Sequence, residues 1–511
     1  MSDNTTSTAY SALTTELQQI AILGSCGSLV SWDEQTCLPP RGTEFRAEQL
    51  SLLAGLRHER ATSKKLADMI AAAEDELGSA LDDDTVQAAN VREARRDFSK
   101  ATRLPQRLVE EITRATSHAH LAWVNARKAS SFSQFLPSLK KVIHLKQEEA
   151  SALRVADQSL YDALLDNYEP YASSAEIEKV FAALREQLVP LVKEISASSV
   201  KAPISILSRF YPIDQQKRFC EMASAAVGFD MTSGRLDVSA HPFCSGIAPG
   251  DCRMTTRYEE RHFNSAFFGV LHETGHGLYE QGLIRESFGM PCGETVSLGI
   301  HESQSRMWEN FVGRSLSFWT HFYPQAQQHF PHPLGDVNIS QFYSAINDIR
   351  PTFIRVEADE VTYNLHIMLR FELEQAMMSG DLPAEDIPAA WNKKIKDYLG
   401  IKVPSDAMGC LQDVHWSAGL IGYFPTYALG NMYAAQLFQQ AATDLGDLDR
   451  QFENGDFKPL LEWLRSNIHH HGRRYSAAQL IERITKKPLS HQPLIDHLRN
   501  KLAPLYDLSQ T

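Results

Sequence analysis

The stretch His272-Glu273-Thr274-Gly275-His276 constrains this chain more than any other feature. Two imidazoles four residues apart stand one above the other on a single face only if the backbone between them is helical. The surroundings agree: Phe263, Phe267, Phe268, Leu271, Gly275, Leu278 and Tyr279 recur at three- and four-residue spacing, the pattern of a buried helix. Pro249-Gly250 marks a turn upstream and Gly282 is a stop downstream. On such a helix the two histidines occupy two corners of a tetrahedral zinc site. Glu273 is rotated about 100° from that row, so it can reach a water at the metal's open position and act as general base. The competing reading is a core helix whose histidines are merely hydrogen-bonded.

A catalytic zinc needs a third protein ligand. The segment Ile300-His301-Glu302-Ser303-Gln304-Ser305-Arg306 offers it, with Ile300, Met307 and Phe311 at helical spacing. Adjacent His301 and Glu302 point about 100° apart, so one of them is the ligand, and Glu302 is the better donor. Glu309, two turns on along the Glu302 face, is an alternative. The expected ligand set is His272, His276 and Glu302.

Composition bounds the rest. In 511 residues, 43% hydrophobic and 22% charged, there is enough apolar material for a large core. No long Pro, Gly or Ser linker, low-complexity tract or repeat divides the chain, which points to one large helical body. Met1 to Gln19 is polar, without a basic and then apolar leader, and no run of about 18 apolar residues follows, so a cytoplasmic protein is expected. Seven scattered cysteines without C-x-x-C spacing fit free thiols in a reducing compartment. A net charge of −13 argues against nucleic acid or an anionic membrane as the main partner. The internal triplet His469-His470-His471 is taken as incidental, its three imidazoles pointing in different directions.

Residues 10 to 200 read as successive helices, clearest over 110–129 and 135–155, and the fold class is mainly α. Strand-like residues are scarce. Arg253 to Tyr258, just after Pro249-Gly250, form one short β element beside the motif helix, read either as an edge strand able to pair with an extended substrate or as a structural turn. Ile354 to Asp359 leads into a helical pattern over 360–378. Gly409 to Trp416 and Gly422 to Tyr427 have loop character, and His, Tyr and Asp on loops near a metal are where transition-state donors are expected.

Together these segments resemble the carboxypeptidase Taq family of zinc metallocarboxypeptidases. Its motifs D-x-R-x-T, H-E-x-x-H, H-E-S-Q, I-R-x-x-A-D and G-x-x-Q-D-x-H-W stand here in order at Asp251 to Thr255, His272 to His276, His301 to Gln304, Ile354 to Asp359 and Gly409 to Trp416. Trp32 to Thr36 and Tyr161 to Asp166 extend the likeness to nearly the whole chain. The resemblance implies a two-lobed helical body similar to neurolysin and angiotensin-converting enzyme, with a deep groove. It implies one metallocarboxypeptidase domain over 1–511, N-terminal helices of roughly 1–100 partly covering the groove, catalytic motifs within 241–430, and a homodimer.

By the motif match, His272, His276 and Glu302 hold Zn2+, which Co2+ or Mn2+ can replace, and Glu273 is general base and acid. Peptides are the substrates, losing single C-terminal residues with broad preference. Arg355 and Arg253 lie in matched motifs and suit recognition of a terminal carboxylate by a guanidinium fork, with Arg257 a weaker third; a structural salt bridge is the alternative for each. His415 with Tyr423 or Tyr427 would stabilise the oxyanion, and spacing does not choose between the tyrosines. The same zinc centre would also serve an endopeptidase or a dipeptidyl carboxypeptidase, and a catalytically silent peptide-binding scaffold is the rival from another class.

Overall fold

A computed structural model describes residues 8–508 of the chain. Its regular structure is almost entirely helical, as the periodicity predicts. The helices expected over 110–129 and 135–155 are Gln106–Ala129 and Phe132–Leu153, a packed pair that turns at Ser130, a left-handed residue with φ of 50°. One contiguous core runs from Ala119 to Tyr506. Ahead of it, Thr8–Thr36, Lys64–Leu77 and Val86–Arg103 build a small core of their own around Leu13, Leu66, Ile70 and Val91. Thr43–Ala61 buries no residue and lies along Thr8–Thr36.

The β element is a three-stranded sheet of β1 (Gly234–Val238), β2 (Cys244–Ala248) and β3 (Asp251–Thr256). β3 lies in the middle, parallel to β1 and antiparallel to β2, and Gly250 makes the β2–β3 turn at φ of 87°. This corrects the edge-strand reading of the Arg253 run. Both sides of β3 are already paired, so its backbone has no ladder left to offer a substrate. The first helix packs on β2, and with the β2–β3 turn and the end of the motif helix it encloses an open cavity of about 380 Å³ lined by Ala21, Gly24, Ser28, Gly246 and Glu280.

The motif helix runs Phe263–Gly282 and crosses Leu298–Arg306, with Gly275 at the contact. A Cβ there would lie 2.4 Å from the Gln304 carbonyl oxygen. A third helix, Pro425–Leu445, closes on the second one at Gly430, where a Cβ would lie 2.5 Å from Glu302 Cγ. The second helix is anchored at its start. Ser297 caps it, and the buried Glu169 carboxylate accepts from Ser297 Oγ and Gly299 N, each at 3.0 Å, and from Tyr433 Oη at 3.1 Å. A negative charge there suits the helix dipole, although burial pushes the Glu169 carboxyl up to about 7. Beyond Arg306 the helix widens into a π turn, Met307–Val312, which carries Glu309.

The aromatic stretch read as a loop divides in two. Pro425 has its fixed φ and lacks an N–H, so it starts a helix; Tyr423 therefore precedes that helix and Tyr427 sits in its first turn.

Adding one methyl group at Gly275 would wedge the two crossing helices apart against backbone atoms, which cannot rotate away. Gly275→Ala should cost about 1–3 kcal/mol in a denaturant-unfolding measurement despite alanine's higher helix propensity; a variant as stable as the parent would refute the close contact.

Candidate metal centre

Glu302 Oε2 lies 3.6 Å from His272 Nε2 and 3.5 Å from His276 Nε2. The three donor atoms all fall within 4.8 Å of one another. The other ring nitrogens are occupied: His272 Nδ1 meets Glu309 Oε2 at 2.9 Å, and His276 Nδ1 meets His301 Nδ1 at 2.5 Å. Each Nε2 is therefore left facing the shared space.

The charges suit a cation. Burial alone would raise the Glu302 carboxyl, but Arg306, bonded to Oε1 at 2.7 Å, and the two histidines hold it well below the usual carboxylate range. Burial and neighbouring His301 push His276 down to about 3, so it is neutral. Burial also lowers His272, but Glu302 and Glu309 outweigh it and raise the ring. Two imidazoles and one ionised carboxylate converging from a pair of crossed helices fit a divalent cation such as zinc. Glu273 is buried beside them. Burial lifts its carboxyl to about 7 against the pull of His272, the range where a group both takes and returns protons near neutral pH.

A second cluster adjoins the first. Asp413 sits between two guanidinium groups: Arg355 Nε and Nη2 reach Oδ1 at 3.0 and 2.9 Å, and Arg370 Nε and Nη2 reach Oδ2 at 2.7 and 2.5 Å. Arg355 Nη1 also donates to Tyr363 Oη at 3.1 Å, and Arg306 lies 4.3 Å over the Tyr363 ring, which joins this cluster to Glu302. His415 Nε2 is 3.4 Å from Tyr427 Oη, and the Tyr423 ring packs on that of Tyr427 with centroids 5.3 Å apart. Burial lowers His415 to about 4 against the pull of Asp413, and the positive charges of Arg355 and Arg370 push the same way as burial. Burial raises both phenols, with the Glu302 charge adding to it at Tyr423 and the Tyr423 phenol at Tyr427, so at neutral pH the tyrosines keep their protons and the His415 imidazole is neutral.

The fold thus gathers His272, Glu273, His276, Glu302, Arg355, His415, Tyr423 and Tyr427. Arg253 is engaged by partners of its own. Its Nε and Nη2 close on Asp251 at 2.8 and 2.9 Å, and its guanidinium stacks 4.4 Å from the Trp32 ring, which ties the first helix to β3. Arg257 pairs with Glu259 at 3.0 Å and is half exposed. His301 and Glu309 turn away from the donor space and hold the ligand-row histidines.

Tyr363, Asp413 and Glu280 escaped the sequence reading. Tyr363 is one aromatic among many apolar residues in its helix, and Asp413, though part of the Gly409 to Trp416 motif, gave no sign that it pairs with two arginines. Glu280 had a signal, since it stands at i+4 from His276 on the motif helix. The histidine triplet is not incidental throughout: His469 is buried, its Nε2 is 2.9 Å from Gln304 Oε1, and its ring packs on Tyr279.

Residues 12–502 match the carboxypeptidase Taq (M32) metallopeptidase family. The chain belongs to that family. It is 46% identical over 508 residues to thermostable carboxypeptidase 1 of Thermus thermophilus, covering 98% of this chain and 99% of that protein. It is 39% identical to carboxypeptidase 1 of Bacillus subtilis, covering 96% and 97%. The solved M32 carboxypeptidase of Deinococcus radiodurans superposes with a TM-score of 0.93 at 38% identity, over 98% of this chain and all of that one (100%). Membership makes this protein a metallocarboxypeptidase and leaves the endopeptidase alternative unfavoured.

Asp413→Asn would leave two buried guanidinium groups facing a neutral amide. The loss should be about 3–5 kcal/mol of unfolding free energy, read from denaturant midpoints; a loss within about 0.5 kcal/mol, the range of an inconsequential surface change, would mean the pair is not buried as described.

Proposed function

We propose that His272, His276 and Glu302 hold a zinc ion and that the protein hydrolyses the C-terminal bond of peptides, releasing single residues with broad preference. The observation that carries this reading is the convergence of two Nε2 atoms and one ionised carboxylate within 4.8 Å, beside buried Glu273. Bound there, the cation supplies Lewis acidity toward the scissile carbonyl and makes a water more acidic. Co2+ or Mn2+ can stand in, because an N/O donor set is not exclusive to zinc.

Glu273 takes the attacking water's proton and returns it to the leaving amine. His415 and Tyr427 offer neutral N–H and O–H donors to the developing oxyanion, and the Tyr423 ring supports Tyr427 by packing against it. Arg355 is the main anchor for the substrate's terminal carboxylate. It and Arg370 share a single carboxylate, so that cluster carries one positive charge in excess (two guanidinium groups against Asp413). Arg253 is the secondary anchor, since it would have to give up Asp251 to grip a substrate.

We further place the protein in the cytoplasm as a homodimer. The family resemblance supports the dimer, and free scattered thiols support a reducing compartment. No helix among the described residues is long and apolar enough to cross a membrane.

Two experiments test the assignment. Glu273→Gln should bind zinc like the parent yet lose roughly 100-fold or more in turnover, measured by mass spectrometry of single-residue ladders from peptide C-termini; chelator should abolish the ladders in the parent and added zinc restore them. Cleavage indifferent to chelator would overturn the metal reading. Arg355→Ala should raise KM about 10- to 100-fold for peptides with a free C-terminal carboxylate while hardly changing cleavage of amidated ones. Equal losses on both would mark Arg355 as structural.

A further inference from the structure

The two histidines of the motif are secured differently. His272 Nδ1 meets a carboxylate directly, that of Glu309, which Arg306 also holds at 3.2 Å. His276 Nδ1 meets a second imidazole. His301 Nδ1 stands 2.5 Å from it, and the far side of His301, Nε2, lies 2.9 Å from Glu280 Oε1. The rings meet edge to edge through these nitrogens, with centroids 4.5 Å apart and planes 29° apart. Glu280 is one turn beyond His276 on the same helix, and His301 is the neighbour of Glu302 on the other, so the three groups stitch the crossed helices together. β2 makes room for the last of them: a Cβ on Gly246 would lie 2.1 Å from Glu280 Oε2.

The direction of each hydrogen bond follows from what each group can do. For His276 to offer a lone pair at Nε2, its proton must sit on Nδ1 and be donated to His301 Nδ1. That nitrogen must then be the acceptor, so the proton of His301 sits on Nε2 and is donated to Glu280. An ionised carboxylate only accepts. A carboxylate at the end therefore sets the tautomer of both rings, one after the other.

We propose that His301 and Glu280 are positioning residues, a two-step hydrogen-bond relay that holds His276 as its Nδ1–H tautomer and thereby sets the affinity of the site for its cation. This rests on the reading of His272, His276 and Glu302 as ligands. Groups behind a ligating histidine orient the ring and raise its basicity, and losing them typically weakens metal binding about 10- to 100-fold. A relay that passes through a neutral imidazole also keeps the charge of Glu280 one residue further from the cation than Glu309 is. The two ligand histidines are thereby unequal in basicity.

The test is zinc affinity of the full-length, metal-stripped protein, titrated with Zn2+ against a chromophoric chelator. His301→Leu should raise Kd about 10- to 100-fold. Glu280→Gln should raise it by roughly several-fold, because an amide both accepts and donates and no longer dictates the tautomer. His301→Asn, which keeps an acceptor near the Nδ1 position, should recover much of the loss seen with leucine. The unfolding midpoint of each metal-free variant, read in parallel, separates affinity from folding.

His272→Ala serves as the control for the ligand set itself: if it keeps parental affinity, the ligand assignment fails. If it loses zinc while His301→Leu and Glu280→Gln bind like the parent, the relay is wrong and the ligands stand. Asparagine no better than leucine at position 301 would likewise reduce His301 to packing. Should His301→Leu not fold, the comparison of Glu280→Gln with the parent decides alone.

Discussion

Everything in the site depends on how closely two helices approach at Gly275. Helix axes held apart by ordinary side chains sit about 8–10 Å from each other, and a ligand row on one would then face the other across a layer of side chains. Here the backbone of Phe263–Gly282 rests on the Gln304 carbonyl, and Glu302 is brought to within 3.6 Å of both ring nitrogens. Gly430 lets the third helix close behind Glu302, and Glu169 with Ser297 fixes where the second helix begins. The carboxylate thus has backbone on several sides, and its position follows from the packing.

On that frame the buried charges divide the carboxylates by role. Burial disfavours every one of them. Glu302 and Glu309 have Arg306 at bonding distance and Asp413 has Arg355 and Arg370, so these stay ionised; Glu309 falls to about 2. Among the described residues Glu273 pairs with no arginine or lysine, and burial carries it to about 7. Glu302 and Glu273, on crossing helices, are thus separated into a group able to ligate and one able to exchange a proton, through their partners and not their chemistry.

Much of this was legible in the residues. The helix around His272 and His276, its end at Gly282 and the mainly-α class followed from periodicity, and Glu302 followed from the need for a third donor on a second amphipathic segment. What was illegible has physical causes. A run of β-formers does not say whether its edges are free, and β3 proved central. Gly282 ends the motif helix, yet a Cβ there would lie 2.2 Å from His469 Nδ1, so its small size also houses a residue nearly two hundred positions away. The triplet at 469–471 looked alike in sequence, while burial singles out His469. The loop reading of Gly422 to Tyr427 missed that Pro425 is a helix start as readily as a loop signal.

The sequence by itself determined the chemistry on offer: two imidazoles and a glutamate in fixed helical order, further acids, arginines and tyrosines in recognisable motifs, and enough apolar periodicity to bury them. Those are local properties, set by spacing along one backbone. Only the tertiary structure decided which nitrogen of each histidine is free, which carboxylates remain charged, that Arg355 shares Asp413 with Arg370 while Arg253 stacks on Trp32, and that Tyr427 is the tyrosine within reach of His415 Nε2. These are decided by contacts between residues far apart in the chain, and burial makes each contact strong enough to choose a tautomer or a charge state.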